Sequence, residues 1–96
     1  MAQWTFLSNH AQVLLCVAHD PSSRLRDIGE QVGITERAAH RIVGELVADG
    51  YLSRERQGRR NHYTLRPHLP LPDHVARDQK VGDLLAVLTN RATSPG

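Results

Sequence analysis

The chain has one cysteine in 96 residues. A lone thiol cannot form an intramolecular disulfide, and such sparing use of cysteine agrees with a reducing compartment. Long apolar runs are also missing. The longest, residues 13–18, is far too short to span a bilayer, and no cationic start followed by an apolar stretch marks a leader. A cytoplasmic location with no membrane partner is therefore expected. No glycine-rich phosphate loop, nucleophile motif or arguable carboxylate pair occurs, so neither an enzymatic activity nor a cofactor is expected. Asp27, Glu30, Glu36 and Glu45 read instead as helix-surface and capping charges. Cys16 and His19 are three apart and could touch one metal ion, but two ligands fall short of a closed zinc site. Cys16 lies inside an apolar run and reads as core, so no metal site is expected. The remaining histidines show no ligand spacing. Ninety-six residues are expected to form one small domain, with no separate catalytic or ligand-sensing unit expected within them.

What is present is a patterned stretch over residues 25–65. The net charge of +2 says little by itself, but its distribution says more. Arg54, Arg56, Arg59, Arg60 and Arg66 stand against the single acid Glu55, a local +4 that exceeds the whole-chain value. All are arginine, whose planar fork suits phosphate and guanine edges better than an ammonium does.

Along the chain, Ser8 or Asn9 can cap a first helix that runs to about His19, with Asn9 and Gln12 spaced as a capping box. Val13, Val17, Leu14 and Ala18 give it a wide apolar face. After the Pro21-Ser22-Ser23 loop, Leu25, Ile28 and Val32 recur at helical spacing, and Arg24 and Arg26 lie at the start of this short second helix. Gly33 stands where that helix must stop, Ile34 follows as an apolar plug, and Thr35 is placed to cap the next helix. The third helix, over residues 35–49, has its apolar stripe at Ala39, Ile42, Val43 and Leu46. Its other side offers Arg37, Ala38, His40, Arg41 and Gly44, with the acids toward the far end.

Gly50 ends this helix. Residues 51–56 and 61–66 then read as a hairpin around a glycine-containing turn at residues 57–60. Either Leu52 opposite Leu65 or Tyr51 opposite Tyr63 would put apolar side chains inward and the arginines outward, and a one-residue slip would exchange the faces. Pro67, Pro70 and Pro72 make residues 67–72 an extended linker. A last helix over residues 73–90 carries the stripe Val81, Leu84, Leu85 and Leu88, and residues 91–96 are expected to fray.

Two phrases, LRDIGEQVGIT at residues 25–35 and ELVADGYL at residues 45–52, continue into the basic hairpin at residues 54–63. Together they resemble the winged helix-turn-helix regulators of bacteria and archaea, in particular short members of the MarR-like group. The resemblance covers about two-thirds of the chain. It implies a mainly α fold with a small β-hairpin, in which residues 1–66 form a domain that binds double-stranded DNA and regulates transcription, more in the manner of a repressor. The third helix would enter the major groove with Thr35, Arg37, Ala38, His40 and Arg41. The hairpin, through Arg54, Arg56, Arg59, Arg60 and Asn61, would lie on the minor groove or its phosphates. The third helix is formally −1, with Arg37 and Arg41 against Glu36, Glu45 and Asp49, so nonspecific attraction is expected from the hairpin.

The competing reading is a winged helix used for protein or RNA contact, with a solvated third helix and a charged edge strand that resists aggregation. The leftover apolar residues Trp4, Phe6, Leu7, Val81, Leu84, Leu85 and Leu88 are more than a monomer of this size would expose. They predict a two-fold homodimer using both ends of the chain. The alternative is a last helix that folds back on the first. No residue names a small-molecule effector.

Overall fold

The computed structural model describes residues 3–89; the expected fraying at residues 91–96 and the last residue of the helix expected over 73–90 lie outside them. The elements follow in the order α1 (Asn9–His19), α2 (Leu25–Val32), α3 (Glu36–Ala48), β1 (Leu52–Gln57), β2 (Arg60–Leu65), a single 3-10 turn (His74–Ala76) and α4 (Val81–Thr89). Ser8 caps α1: its backbone is extended and its hydroxyl accepts the Ala11 N–H at 3.1 Å. Asn9 is already helical, so the expected Asn9/Gln12 box does not form, and the Gln12 amide instead donates to Leu7 O at 3.0 Å. Asp20 takes an extended conformation, as a residue before proline is pushed to do, and α1 stops there.

The corner between α2 and α3 is built from backbone geometry. Gly33 is left-handed at φ 85, and the N–H groups of Gly33 and Ile34 both reach Gly29 O, at 2.8 and 2.9 Å. These bonds satisfy a carbonyl that the helix end would leave open. A side chain at Gly29 would place its Cβ 2.8 Å from Ile34 O, so the two helices approach as closely as they do because that residue has none. Thr35 then caps α3, its hydroxyl accepting the Ala38 N–H at 3.0 Å.

Ala39, Ile42, Val43 and Leu46 are all buried, as the stripe required. They meet Val13, Leu14, Cys16 and Val17 of α1, Ile28 of α2, Leu52 of β1 and Tyr63 of β2 in one core. Ala18, expected on the inner face of α1, is exposed. Val13, Val17, Ile28, Ile42, Val43 and Leu52 are each less than 2% exposed. At about 1.5–3 kcal/mol per side chain relative to exposure, they are the principal stabilising group.

The hairpin is antiparallel and takes the Leu52↔Leu65 register, leaving Gly58 and Arg59 as its two-residue turn. This register corrects the expected outward alternation of the arginines. Arg54 pairs with Tyr63 and Arg56 with Asn61, so both share the face of Leu52. Both are nonetheless exposed. Ser53, Glu55 and Arg60 lie on the other face.

Beyond the hairpin the structure departs from expectation. Residues 67–72 are extended but are not a free linker. Proline lacks an N–H yet keeps its carbonyl, and Pro67 O and Pro70 O accept from Gly82 N–H at 2.8 Å and the Tyr51 hydroxyl at 2.7 Å. Leu71 N–H donates to Gln79 O and Val81 N–H to Leu69 O, so the segment doubles back on itself and lays Leu69 and Leu71 against the core. The helix expected from residue 73 accordingly starts only at Val81, and it packs on α1. Val81 and Leu85 are 3% and 4% exposed within the chain, so neither is available as a dimer contact. Leu84 is half-buried, while Leu88 at 37% and Val87 at 77% remain outward. No helix among the described residues is long and apolar enough to cross a membrane.

Candidate nucleic-acid interface

With positions 39, 42, 43 and 46 turned inward, α3 presents its opposite side to solvent. Thr35, Arg37, Ala38, His40 and Arg41 line one shallow groove of about 360 Å3 there, with Arg37, His40 and Arg41 exposed and Ala38 half-buried. The Thr35 oxygen is already occupied as an acceptor by the Ala38 amide, which leaves its O–H free to donate. A helix N-terminus with a free hydroxyl and two flanking arginines is suited to phosphate oxygens and base edges.

Arg41 is not idle in this arrangement. Its Nη1 lies 3.4 and 3.5 Å from the two carboxylate oxygens of Glu45, one turn further along α3. The same carboxylate takes a 2.7 Å bond from His10 Nε2 of α1. The His10 bond, against an opposing desolvation and with the Arg41 charge adding to it, lowers the Glu45 carboxyl pKa from its ordinary value.

A second cleft, of about 500 Å3, separates the start of α2 from the hairpin. Arg24 and Arg26 line one wall, Arg59, Arg60 and Asn61 the other, and Glu36 closes the end nearest α3. The hairpin is held over this cleft through the α1–α2 loop. Tyr63 N–H donates to Pro21 O at 2.9 Å, His62 Nδ1 lies 3.3 Å from Ser22 Oγ, and Arg60 Nη1 lies 3.5 Å from Ser22 O. The cleft thus gathers two arginines that sequence reasoning noted at the start of the second helix but gave no role. Their partners in the hairpin lie more than thirty positions away, so charge clustering along the chain does not reveal them. Arg54 and Arg56 stand apart from the cleft, and Arg56 Nε donates to Gly58 O of its own turn at 3.2 Å.

Cys16 is 7% exposed, and burial pushes its thiol up, away from the thiolate form that reacts or binds metal. Among the described residues no three side chains of metal-ligating type come together. Cys16 and His19 border an apolar groove of about 560 Å3 beside Trp4, Phe6, Leu7 and Leu15. Trp4 and Phe6 meet edge to face there, with ring centroids 4.9 Å apart, and are 62% and 90% exposed.

Helices meeting at a tight turn, an exposed polar face on the helix after that turn, and a basic hairpin tied back beside it define a winged helix-turn-helix, a DNA-binding class that serves transcription regulation. More particularly, the chain belongs to the IclR helix-turn-helix domain family, whose model matches residues 7–56. That span is just over half of the 96 residues and reaches from the end of the N-terminal segment through α3 into β1. The match supports the winged helix-turn-helix part of the resemblance drawn from the sequence and not its MarR-like part. No curated protein matches the chain.

Proposed function

We propose that the chain is a sequence-specific regulator that binds duplex DNA as a homodimer and represses by occupying its site. In this reading residues 1–66 form the reading unit, and α3 lies in the major groove with Arg37 and Arg41 on base edges or phosphates, His40 beside them, and Ala38 allowing close approach. The Thr35 hydroxyl and the first amides of α3 hold a phosphate. The hairpin at residues 54–62 lies on the minor groove and its phosphates, with Arg59 and Arg60 foremost. Arg54, Arg56 and Asn61 follow the backbone on either side, and Arg24 and Arg26 hold the same backbone from across the cleft.

The observation that carries this reading is that Arg37, His40 and Arg41 share one open groove on the side of α3 facing away from the core. The dimer contact we assign to Trp4, Phe6 and Leu7, joined by the outward Leu88 and the half-buried Leu84. The exposed aromatic pair beside an apolar groove supports a self-complementary patch. Repression follows from occupancy, since binding alone is enough to exclude a competitor from the same duplex. Such a protein resides with the nucleoid.

Selection of bound duplexes from a random pool tests the whole reading. The expected product is a two-fold symmetric site with half-sites about one helical turn, or a multiple of it, apart. Recovery of no preferred duplex, or retention of RNA in preference to any duplex, would overturn it.

A further inference from the structure

We propose that His10 and Glu45 are positioning residues for Arg41, such that the charge on His10 decides whether the Arg41 guanidinium is held along α3 or delivered to DNA. The inference rests on the assignment of α3 as the groove-reading helix. One carboxylate serves two cationic groups: His10 Nε2 at 2.7 Å from α1, and Arg41 Nη1 at 3.4 and 3.5 Å within α3. The bond between helices is short and the bond to the reading arginine is long. All three side chains are 44–63% exposed, so Arg41 can leave without unpacking the core.

Its departure has an electrostatic cost. A guanidinium that turns to a base or phosphate leaves the Glu45 carboxylate uncompensated just as a polyanion approaches. An imidazolium at position 10 keeps that carboxylate balanced after Arg41 has gone, whereas a neutral imidazole donates a hydrogen bond but brings no charge. DNA binding is then coupled to proton uptake at His10, and affinity rises as pH falls. The charged and titratable groups around His10 are Arg41, Glu45 and Asp49 of α3, Tyr51 just after it, and Asp73 of the doubled-back segment. The Tyr51 hydroxyl is engaged by Pro70 O, and Glu45 is the group that contacts both His10 and Arg41. His40 lines the same groove as Arg41, so the His40→Gln variant is used to separate its own effect from that of His10.

The test is anisotropy titration of the full chain onto a selected duplex at constant ionic strength, between about pH 8 and about pH 6. Wild type should tighten by about three- to fivefold over this range beyond any His40 effect, the size of an exposed ion pair. His40→Gln should keep that component. His10→Gln, which retains a donor but no charge, should lose it. Glu45→Gln should also lose it and bind at the alkaline end as wild type does at the acid end. A His10→Gln or Glu45→Gln chain with the wild-type pH slope would overturn the proposal, as would a wild type with no such slope.

Side-chain NMR of the DNA-free protein gives a second measurement that does not depend on binding. The Arg41 Nε resonance should shift with the titration of His10, and this response should vanish in His10→Gln. An Arg41 resonance indifferent to His10 would overturn the positioning role even if DNA is bound. Absence of duplex binding together with an intact NMR response would instead remove the groove-reading assignment of α3, and with it the delivery of Arg41 to DNA.

Discussion

Replacing Arg59 and Arg60 together by alanine should change how DNA binding responds to salt more than it changes which duplex is preferred. Both line one wall of the cleft whose other wall carries Arg24 and Arg26, so up to four guanidinium groups per protomer can reach one stretch of backbone. Each neutralised phosphate releases counterions and contributes about −0.9 to the slope of log affinity against log salt, giving about −3.6 for four contacts and about −1.8 for two. Over a fourfold rise in salt, the cleft's contribution to affinity per protomer should then fall by roughly 150-fold in wild type but only about 12-fold in the double variant, on top of an equal loss in both from the phosphate contacts outside the cleft. In a dimer both slopes double. Arg60 also leans toward Ser22 O at 3.5 Å, a long bond between exposed groups, so its loss should leave the hairpin in place. The assay is a filter-binding or anisotropy titration on a selected duplex and a random one at several salt concentrations. An unchanged slope in the double variant would refute the phosphate assignment. Loss confined to the selected duplex would show instead that these arginines read sequence.

Arg41→Ala should cost about 1–3 kcal/mol on the selected duplex and relax the base preference there, with little effect on random DNA; equal losses on both would contradict its role. Gly33→Ala should lower stability by about 1–2 kcal/mol in urea unfolding, since φ 85 is unfavourable for any side chain while no atom lies within 4 Å of the added Cβ. Gly29→Ala should cost more, because its Cβ would meet Ile34 O. Leu85→Ala, at a site 4% exposed, should destabilise by about 2–4 kcal/mol independently of protein concentration, with Leu88→Ala at 37% exposure nearer about 1 kcal/mol. The reverse order would mean that α4 turns its other face inward. Phe6→Glu should yield a monomer by sedimentation without loss of helix signal, and a wild type that sediments as a monomer at micromolar concentration would remove the dimer.

Local signals in the sequence were enough for α1, α2, α3, the hairpin and the left-handed stop at Gly33. The reason is that helix periodicity, capping and turn chemistry act between residues only a few positions apart. The exposed face of α3 was legible for the same reason: once Ala39, Ile42, Val43 and Leu46 are inside, Arg37, His40 and Arg41 must be outside. What local pattern does not encode is which distant groups meet. The Leu52↔Leu65 register was one of two that alternation allowed, and it was chosen where Leu52 and Tyr63 fill the core above α1 and α3. The apolar stripe of α4 stated that something would cover Val81 and Leu85 but not what, and the doubled-back segment after Pro67 delivered them to α1 rather than to a second copy. Arg24 and Arg26 became part of a cleft, and His10 a partner of Glu45, through contacts spanning more than thirty residues. Periodicity places a side chain on a face; only closure of the chain decides what stands opposite it.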